Sequence, residues 1–295
     1  MADQNNRANL VLVHWNCRSF PNKLNFRKYI TDTQPDIVAL QETFYKEHTQ
    51  KPSFPSYTPI HTHKTTGRGG GLLLLVNNQL NFRVKQLTPY RIPNFEIQCI
   101  TLKLKNDQID IVNIYIPNNN FSTEEFIFYK KQLNKKFIIC GDFNAHHIAW
   151  DPERTKPNNS AGNQLQDILD SDETITLATP PGLPTHMNLQ DGSSSTIDLL
   201  LCSPSLWPAM DIRTTADFGS DHTPVLVNAD IGPDKTIRGR RPKWIINPSK
   251  WEEWQKDTLP RHPNDPGNLE QDYKNFEKSI LDASEKHFKK KTVIK

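Results

Sequence analysis

Short, unbroken apolar runs constrain this chain more than any other feature. Leu72-Leu73-Leu74-Leu75-Val76 and Phe137-Ile138-Ile139-Cys140 are short for helices and show no polar alternation. Such runs read as strands buried on both faces, because successive side chains of a strand point to opposite sides. Strand-like segments recur at 10–15, 36–41, 71–76, 95–104, 109–116, 136–141, 196–202 and 224–229. Helical spacing covers 22–33, which opens on Asn22, and 123–134, where Glu124 and Glu125 suit the positive end of the helix dipole. A third helix is expected over 160–170, with Leu165, Ile168 and Leu169 on one face. Many strands and fewer helices predict sheets packed face to face, with helices outside.

No apolar run approaches the ~20 residues of a membrane helix. The polar start, MADQNNRAN, does not read as a secretory signal. An intracellular protein without membrane contact is therefore expected. Cys17, Cys99, Cys140 and Cys202 show no C-x-x-C spacing and read as buried reduced thiols, not as a disulfide or zinc framework. The net charge of +3 is compatible with a polyanionic partner without specifying one.

After residue 231 the texture changes. Residues 1–231 read as one domain, and 232–248, GPDKTIRGRRPKWIINP, as a linker rich in Pro, Gly and basic residues. Farther on, 268–288 place Leu269, Tyr273, Phe276, Ile280, Ala283 and His287 at helical spacing. The segment 232–295 is thus a basic linker and helical tail. Arg238, Arg240, Arg241, Lys243 and Lys289-Lys290-Lys291 suit either non-specific contact with a DNA backbone or a solvated surface.

The polar groups that end the strands form a series: Asn16, Glu42, Tyr115, Asp142 with Asn144, Asp198, and Ser220-Asp221-His222. Singly, each fits a turn former that bonds its own backbone. Six acceptor-rich handovers from apolar sequence are harder to assign to turns alone. Asp142 and Asn144 are two apart, so in extended chain their side chains share one face and can address one group. His146 and His147, which follow, are expected to serve the loop.

In order, Trp15-Asn16, Gln41-Glu42-Thr43, Asn113-Ile114-Tyr115-Ile116-Pro117, Gly141-Asp142-Phe143-Asn144, Ser194-Ser195-Thr196-Ile197-Asp198 and Ser220-Asp221-His222 resemble the endonuclease/exonuclease/phosphatase superfamily, over residues 9 to about 230. The resemblance implies an α/β fold, a deoxyribonuclease-I-like four-layered sandwich of two mixed β-sheets flanked by helices. It also implies phosphodiester hydrolysis assisted by Mg2+, or Mn2+ in its place, because a hard cation neutralises charge on phosphoryl oxygens. Glu42 would be the anionic metal ligand, Asn16 a neutral oxygen ligand or phosphate holder, and Asp221 a supporting metal or water contact. Asp142 would orient and deprotonate the attacking water, with Asn144 positioning the water or the phosphate. His222 would sit on the scissile phosphate, fixed by Asp198. Tyr115 would donate a hydrogen bond, or act as phenolate, toward the phosphate.

Within that superfamily, GDFNAHHIAW, RGGGLLLLV and SSSTIDLLL are similar to the apurinic-type endonuclease domain of non-LTR retrotransposons, especially the insect jockey-like group. Thr185 and Ser195, thirteen and three residues before Asp198, match positions expected to bond phosphate or support the site. Arg68, in Gly67-Arg68-Gly69-Gly70-Gly71, would add a charge to a phosphate cradle, although glycines before a buried strand read more readily as a turn. The implied partner is double-stranded DNA, hence a nuclear location, with a reverse transcriptase domain in the same chain of a full-length element. No Y-A-D-D polymerase motif is present, and 232–295 read as a connecting region toward such a domain; excised domain, truncated copy and domesticated gene all stay open. The resemblance implies a metal-dependent endonuclease that nicks target DNA, as in target-primed retrotransposition; beside it stand two alternatives, an inactive domesticated nucleic-acid or protein-binding module and a phosphatase on small phosphoesters.

Overall fold

The computed structural model describes residues 9–21, 23–45, 53–62, 70–117, 120–235, 243–245, 247–258 and 269–291. The chain divides into two compact units, Met1–Thr236 and Ile237–Lys295.

In the first unit the strands are β1 Leu10–Asn16, β2 Ile37–Gln41, β3 Tyr57–Thr62, β4 Leu72–Asn77, β5 Phe82–Val84, β6 Glu96–Lys103 and β7 Gln108–Tyr115. They continue with β8 Phe137–Asp142, β9 Thr176–Leu177, β10 His186–Met187, β11 Ser194–Ser195, β12 Asp198–Cys202, β13 Met210–Thr214 and β14 Val225–Ala229. The helices are α1 Leu24–Thr33, α2 Thr123–Lys130 and α3 Ser160–Ser171. One sheet has the order β13-β14-β1-β2-β4-β3 and the other β5-β6-β7-β8-β12-β9, while β10 and β11 form a hairpin.

The two sheets share a plan. In each, one parallel pair joined by a helix lies at the centre, β1 with β2 and β7 with β8, and antiparallel strands flank it. Strand alternation then explains the unbroken apolar runs. Leu74 and Val76 enter the layer between the sheets with Leu12, Ile111, Ile138 and Leu200. Leu73 and Leu75 face the other way, onto Phe26 and Ile30 of α1. Val112, Ile139 and Leu199 likewise meet Phe126 of α2 and Leu165 of α3 on the far side of the second sheet. Four layers follow: helix, sheet, sheet, helices.

Strands with little apolar signal in the sequence lie at the edges. β3 carries a proline and β13 alternates half-buried with exposed residues, as edge strands allow. The second helix ends at Lys130, short of 134. Glu125 in its first turn does more than meet the dipole: buried, it accepts hydrogen bonds from the backbone N–H of Asn94 and Phe95, each at 3.1 Å. Asn22 lies outside the described residues, and Lys23 stands at the N-terminus of α1. All four cysteines are buried and free.

Gly70 and Gly71 both take positive φ. A Cβ on Gly71 would come within 2.9 Å of Thr43 Oγ1, and its carbonyl accepts from Thr43 N at 3.0 Å. The glycines therefore serve close packing beside β4. Arg68 lies outside the described residues. Residues 233 and 235, read as linker from the sequence, belong to the first unit, Pro233 bridging to Leu104 and Lys235 to Leu80. Arg238, Arg240 and Arg241 lie outside the described residues.

The second unit contains β15 Lys243–Ile245 paired with β16 Lys289–Lys291, and helices α4 Trp251–Thr258 and α5 Leu269–His287. Trp254 Nε1 donates to Ser284 Oγ at 3.0 Å, with Ala283 and Phe288 buried beside that contact. Phe276, expected on the apolar face, is exposed.

Candidate active site

Strand direction gathers the polar series at one edge of the first unit. Asn16, Tyr115 and Asp142 are the last residues of β1, β7 and β8, and Glu42 follows β2 directly. Asp198 opens β12, which runs antiparallel to β8 with Asp198 opposite Asp142, and His222 precedes β14, antiparallel to β1. Carboxyl ends of parallel strands and amino ends of their antiparallel neighbours lie at the same edge. Residues up to 206 positions apart in the chain (222 − 16) converge for that reason alone.

The resulting hydrogen bonds form two sets that face each other, one around Glu42 and Asp142 and one between His222 and Asp198. Asn16 Nδ2 donates to Asp142 Oδ2 at 2.8 Å and to Glu42 Oε1 at 3.2 Å. Tyr115 OH donates to the same Glu42 oxygen at 2.6 Å. Asn144 N donates to Asp142 Oδ1 at 2.9 Å, and Asn144 Nδ2 to Ile116 O at 2.9 Å. His222 Nδ1 meets Asp198 Oδ2 at 2.8 Å, which leaves Nε2 facing Asp142 Oδ2 at 4.0 Å. Trp15 Nε1 donates to His222 O at 2.8 Å and fixes that residue from behind. Glu42 and Asn144 take left-handed φ of 49° and 48°, a strained conformation for residues with a Cβ that is characteristic of functional sites.

Burial and neighbouring charge set the protonation states. Burial pushes the Asp142 carboxyl up to about 7, with Asp198 adding to the rise and His222 opposing it. Burial would lower His222, but Asp198, Asp142 and Asp221 outweigh it and hold the imidazole up to about 9. The surrounding carboxylates therefore favour the charged imidazole, whose Nε2 would be a donor. Burial and the Glu42 carboxylate raise the Tyr115 phenol well above its ordinary value, so in this arrangement it is a donor to Glu42 and not a phenolate.

Thr185 and Ser195 lie beneath the site. Thr185 Oγ1 accepts from Asp198 N and Ile197 N, each at 3.1 Å, and so anchors the start of β12. Ser195 Oγ is 3.1 Å from His186 Nδ1, and the His186 ring lies edge-on to His222 with centroids 4.7 Å apart. Asn16 Oδ1 accepts from Arg18 N at 3.2 Å, so this residue turns its amide nitrogen, not its oxygen, toward the carboxylates. Asp221 stands in an ion pair with the half-exposed Arg18.

Two neighbours of the site carried no distinct sequence signal. His186 sits in a two-residue strand with no apolar pattern. His14 is a histidine within the run Leu10-Val11-Leu12-Val13; it is wholly buried, neither ring nitrogen has a partner, and burial lowers it to about 4 despite the nearby Asp198.

The donor set suits a divalent cation. Asp142, Asp198 and His222 bring ligand-type atoms within 4.8 Å of one another, and with the imidazole charged and bound to Asp198 it is the carboxylate oxygens of that group that could serve a cation. Glu42 is half-buried, one oxygen is oriented by Asn16 and Tyr115, and the other accepts no hydrogen bond among the described residues. Oxygen donors of this kind, held by neighbouring hydrogen-bond donors, are what hard cations select.

A family model described as endonuclease-reverse transcriptase matches residues 109–226. The probable RNA-directed DNA polymerase from transposon X-element of Drosophila melanogaster is 27% identical over 228 residues, 76% of this chain and 24% of that protein. The chain thus spans about a quarter of that relative. A DNA-(apurinic or apyrimidinic site) endonuclease of Dictyostelium discoideum is 26% identical over 75% of this chain and 71% of its own length. Among solved structures, the endonuclease domain of TRAS1, a telomere-specific non-LTR retrotransposon, aligns over 76% of this chain and 99% of its own, with a TM-score of 0.59 and 18% identity. Six ordered motifs thus meet at one edge of a deoxyribonuclease-I-like double sheet, in a chain similar to retrotransposon polymerases in sequence and to a retrotransposon endonuclease domain in fold.

Proposed function

We propose that the chain is a magnesium-dependent endonuclease that nicks one strand of double-stranded DNA by hydrolysing a phosphodiester bond, the cut that primes reverse transcription in a retrotransposing element. The observation that carries this reading is the cluster in which Asn16, Glu42, Tyr115, Asp142 and Asn144, joined by hydrogen bonds, face the His222–Asp198 pair. The relatives' names, a transposon polymerase and an abasic-site endonuclease, favour DNA over small phosphoesters.

The residues divide the work by protonation state. Asp142, oriented by Asn16 and Asn144, accepts a proton from the water that attacks phosphorus. His222, charged and locked by Asp198, offers Nε2–H to a phosphoryl oxygen as negative charge builds. The bond from phosphorus to the 3′ oxygen breaks and the leaving oxygen takes a proton from solvent, giving a 3′-hydroxyl and a 5′-phosphate. A bound cation supplies charge neutralisation at the phosphate, and Glu42 is the residue that would hold it. Asn16 and Tyr115 keep Glu42 in place. Thr185 and Ser195 act as supports, and Asp221 with Arg18 forms the rim.

On this reading the protein acts on nuclear DNA and corresponds to the endonuclease part of a longer element protein that also carries a reverse transcriptase. Supercoiled plasmid with magnesium is expected to convert to open circles, and excess chelator to abolish conversion. A folded protein that leaves the plasmid supercoiled would displace this reading in favour of a binding module or a small-phosphoester phosphatase. Tyr115→Phe removes one of the two donors to Glu42 and is expected to raise the magnesium concentration for half-maximal nicking about tenfold. A magnesium titration checks this; an unchanged midpoint would remove Tyr115 from the support of Glu42.

A further inference from the structure

Two adjacent histidines follow Asn144, and the proposed chemistry uses neither. Their surroundings differ. His147 builds the loop: its Nδ1 accepts from Ala149 N at 3.1 Å, and its ring lies 5.1 Å from that of Trp150. His146 is held by charge. Arg154 Nη1 stands 2.8 Å from His146 Nδ1. A guanidinium can only donate, so His146 Nδ1 accepts, and the ring carries its proton on Nε2. That Nε2–H finds no acceptor among the described residues, yet the half-buried ring is not sealed from solvent.

The backbone beneath the ring is equally fixed. Asn159 Oδ1 accepts from His146 N at 2.9 Å, and Asn159 Nδ2 donates to Asn144 O at 2.7 Å, so one amide ties both residues. Gly162 lets α3 approach: a Cβ there would fall 2.1 Å from His146 O. Arg154 has only 13% of its side chain exposed, and its carboxylate neighbour Asp151 is 4.0 Å away. Its positive charge is therefore weakly compensated behind the imidazole. His186 is close enough to His146 to oppose its protonation, and His186 lies against His222.

We propose that His146 donates its Nε2–H to a non-bridging oxygen of a phosphate adjacent to the scissile one, on the strand being cut, with Arg154 fixing the tautomer and adding positive potential behind it. The inference rests on the nuclease reading and extends it. A rigid loop, an enforced tautomer, a free N–H and a nearly buried cation are what recognition of a phosphodiester oxygen requires.

The test uses a short duplex carrying a mapped cleavage site, with single neutral methylphosphonates in place of each phosphate flanking the cut. One of these is expected to lower the wild-type kcat/KM about tenfold, chiefly through KM. His146→Phe should show a similar loss on unmodified DNA and no further loss at that methylphosphonate, because the partner is already gone. His146→Gln, which keeps an N–H at about that reach, should recover part of the loss; compared with wild type on the same duplexes, it also serves if the Phe variant does not fold. Losses that multiply independently at every position, or a His146→Phe variant as active as wild type, would overturn the assignment. Wild-type protein that fails to cut unmodified duplex would instead sink the nuclease reading itself.

Discussion

Asp142→Asn and His222→Ala are each expected to lower plasmid nicking about a thousandfold or more while leaving the fold intact. Asp142 is the carboxylate on which the network converges: Asn16 donates to one oxygen, Asn144 to the other, and His222 Nε2 faces it at 4.0 Å. The asparagine variant keeps the volume and removes the proton acceptor. His222→Ala removes the imidazolium and leaves Asp198 without its partner, so the positive charge facing the phosphate is lost. Because the two residues act on one transition state, the double variant should be scarcely worse than either single one. Rates on supercoiled plasmid, with circular dichroism to verify folding, decide the matter. Full activity in either variant would exclude that residue from the chemistry.

Gly141→Ala should produce the largest structural effect. Gly141 pairs with Ile114 across the parallel strands β7 and β8, with φ of 150°, and a Cβ built there would fall 1.8 Å from Ile114 O. The obstacle is backbone at the centre of a sheet, so no side chain can rotate away. The strands must separate, which is expected to cost at least about 3 kcal/mol. For a unit of this size that corresponds to a fall in melting temperature of roughly 10 °C. Tyr115 and Asp142, the next residues on the two strands, would be displaced together, so nicking should fall as well. A thermal melt within about 2 °C of wild type would mean that this close approach does not exist.

The groups that line this site differ in how visible they are along the chain. Glu42, Asp142, Asp198 and His222 each stand at the border of an apolar strand run, where a carboxylate or imidazole has an evident contrast with its neighbours. His14 lies inside such a run, and its pattern is that of an ordinary strand residue. His186 sits in a hairpin too short for any period to register. The edge strands β3, β5 and β13 were silent for a related reason: one face meets solvent, so apolar content falls and no continuous apolar run forms.

The sequence by itself determined the central strands, the three helices that cover them, and the ordered set of polar residues at strand ends. Those follow from local rules, since burial on both faces forces continuous apolar runs, and turns and caps favour particular residues. Tertiary structure alone decided how the set is used. The direction of each strand brought Asp198 opposite Asp142, and His222 to the same edge, over gaps in the chain that no local pattern spans. It also decided protonation, because the states of Asp142, His222 and Tyr115 depend on burial and on charges contributed by other strands. The two adjacent histidines show the limit most plainly. Identical in sequence, His146 and His147 part company only because Arg154 meets one ring and Trp150 the other.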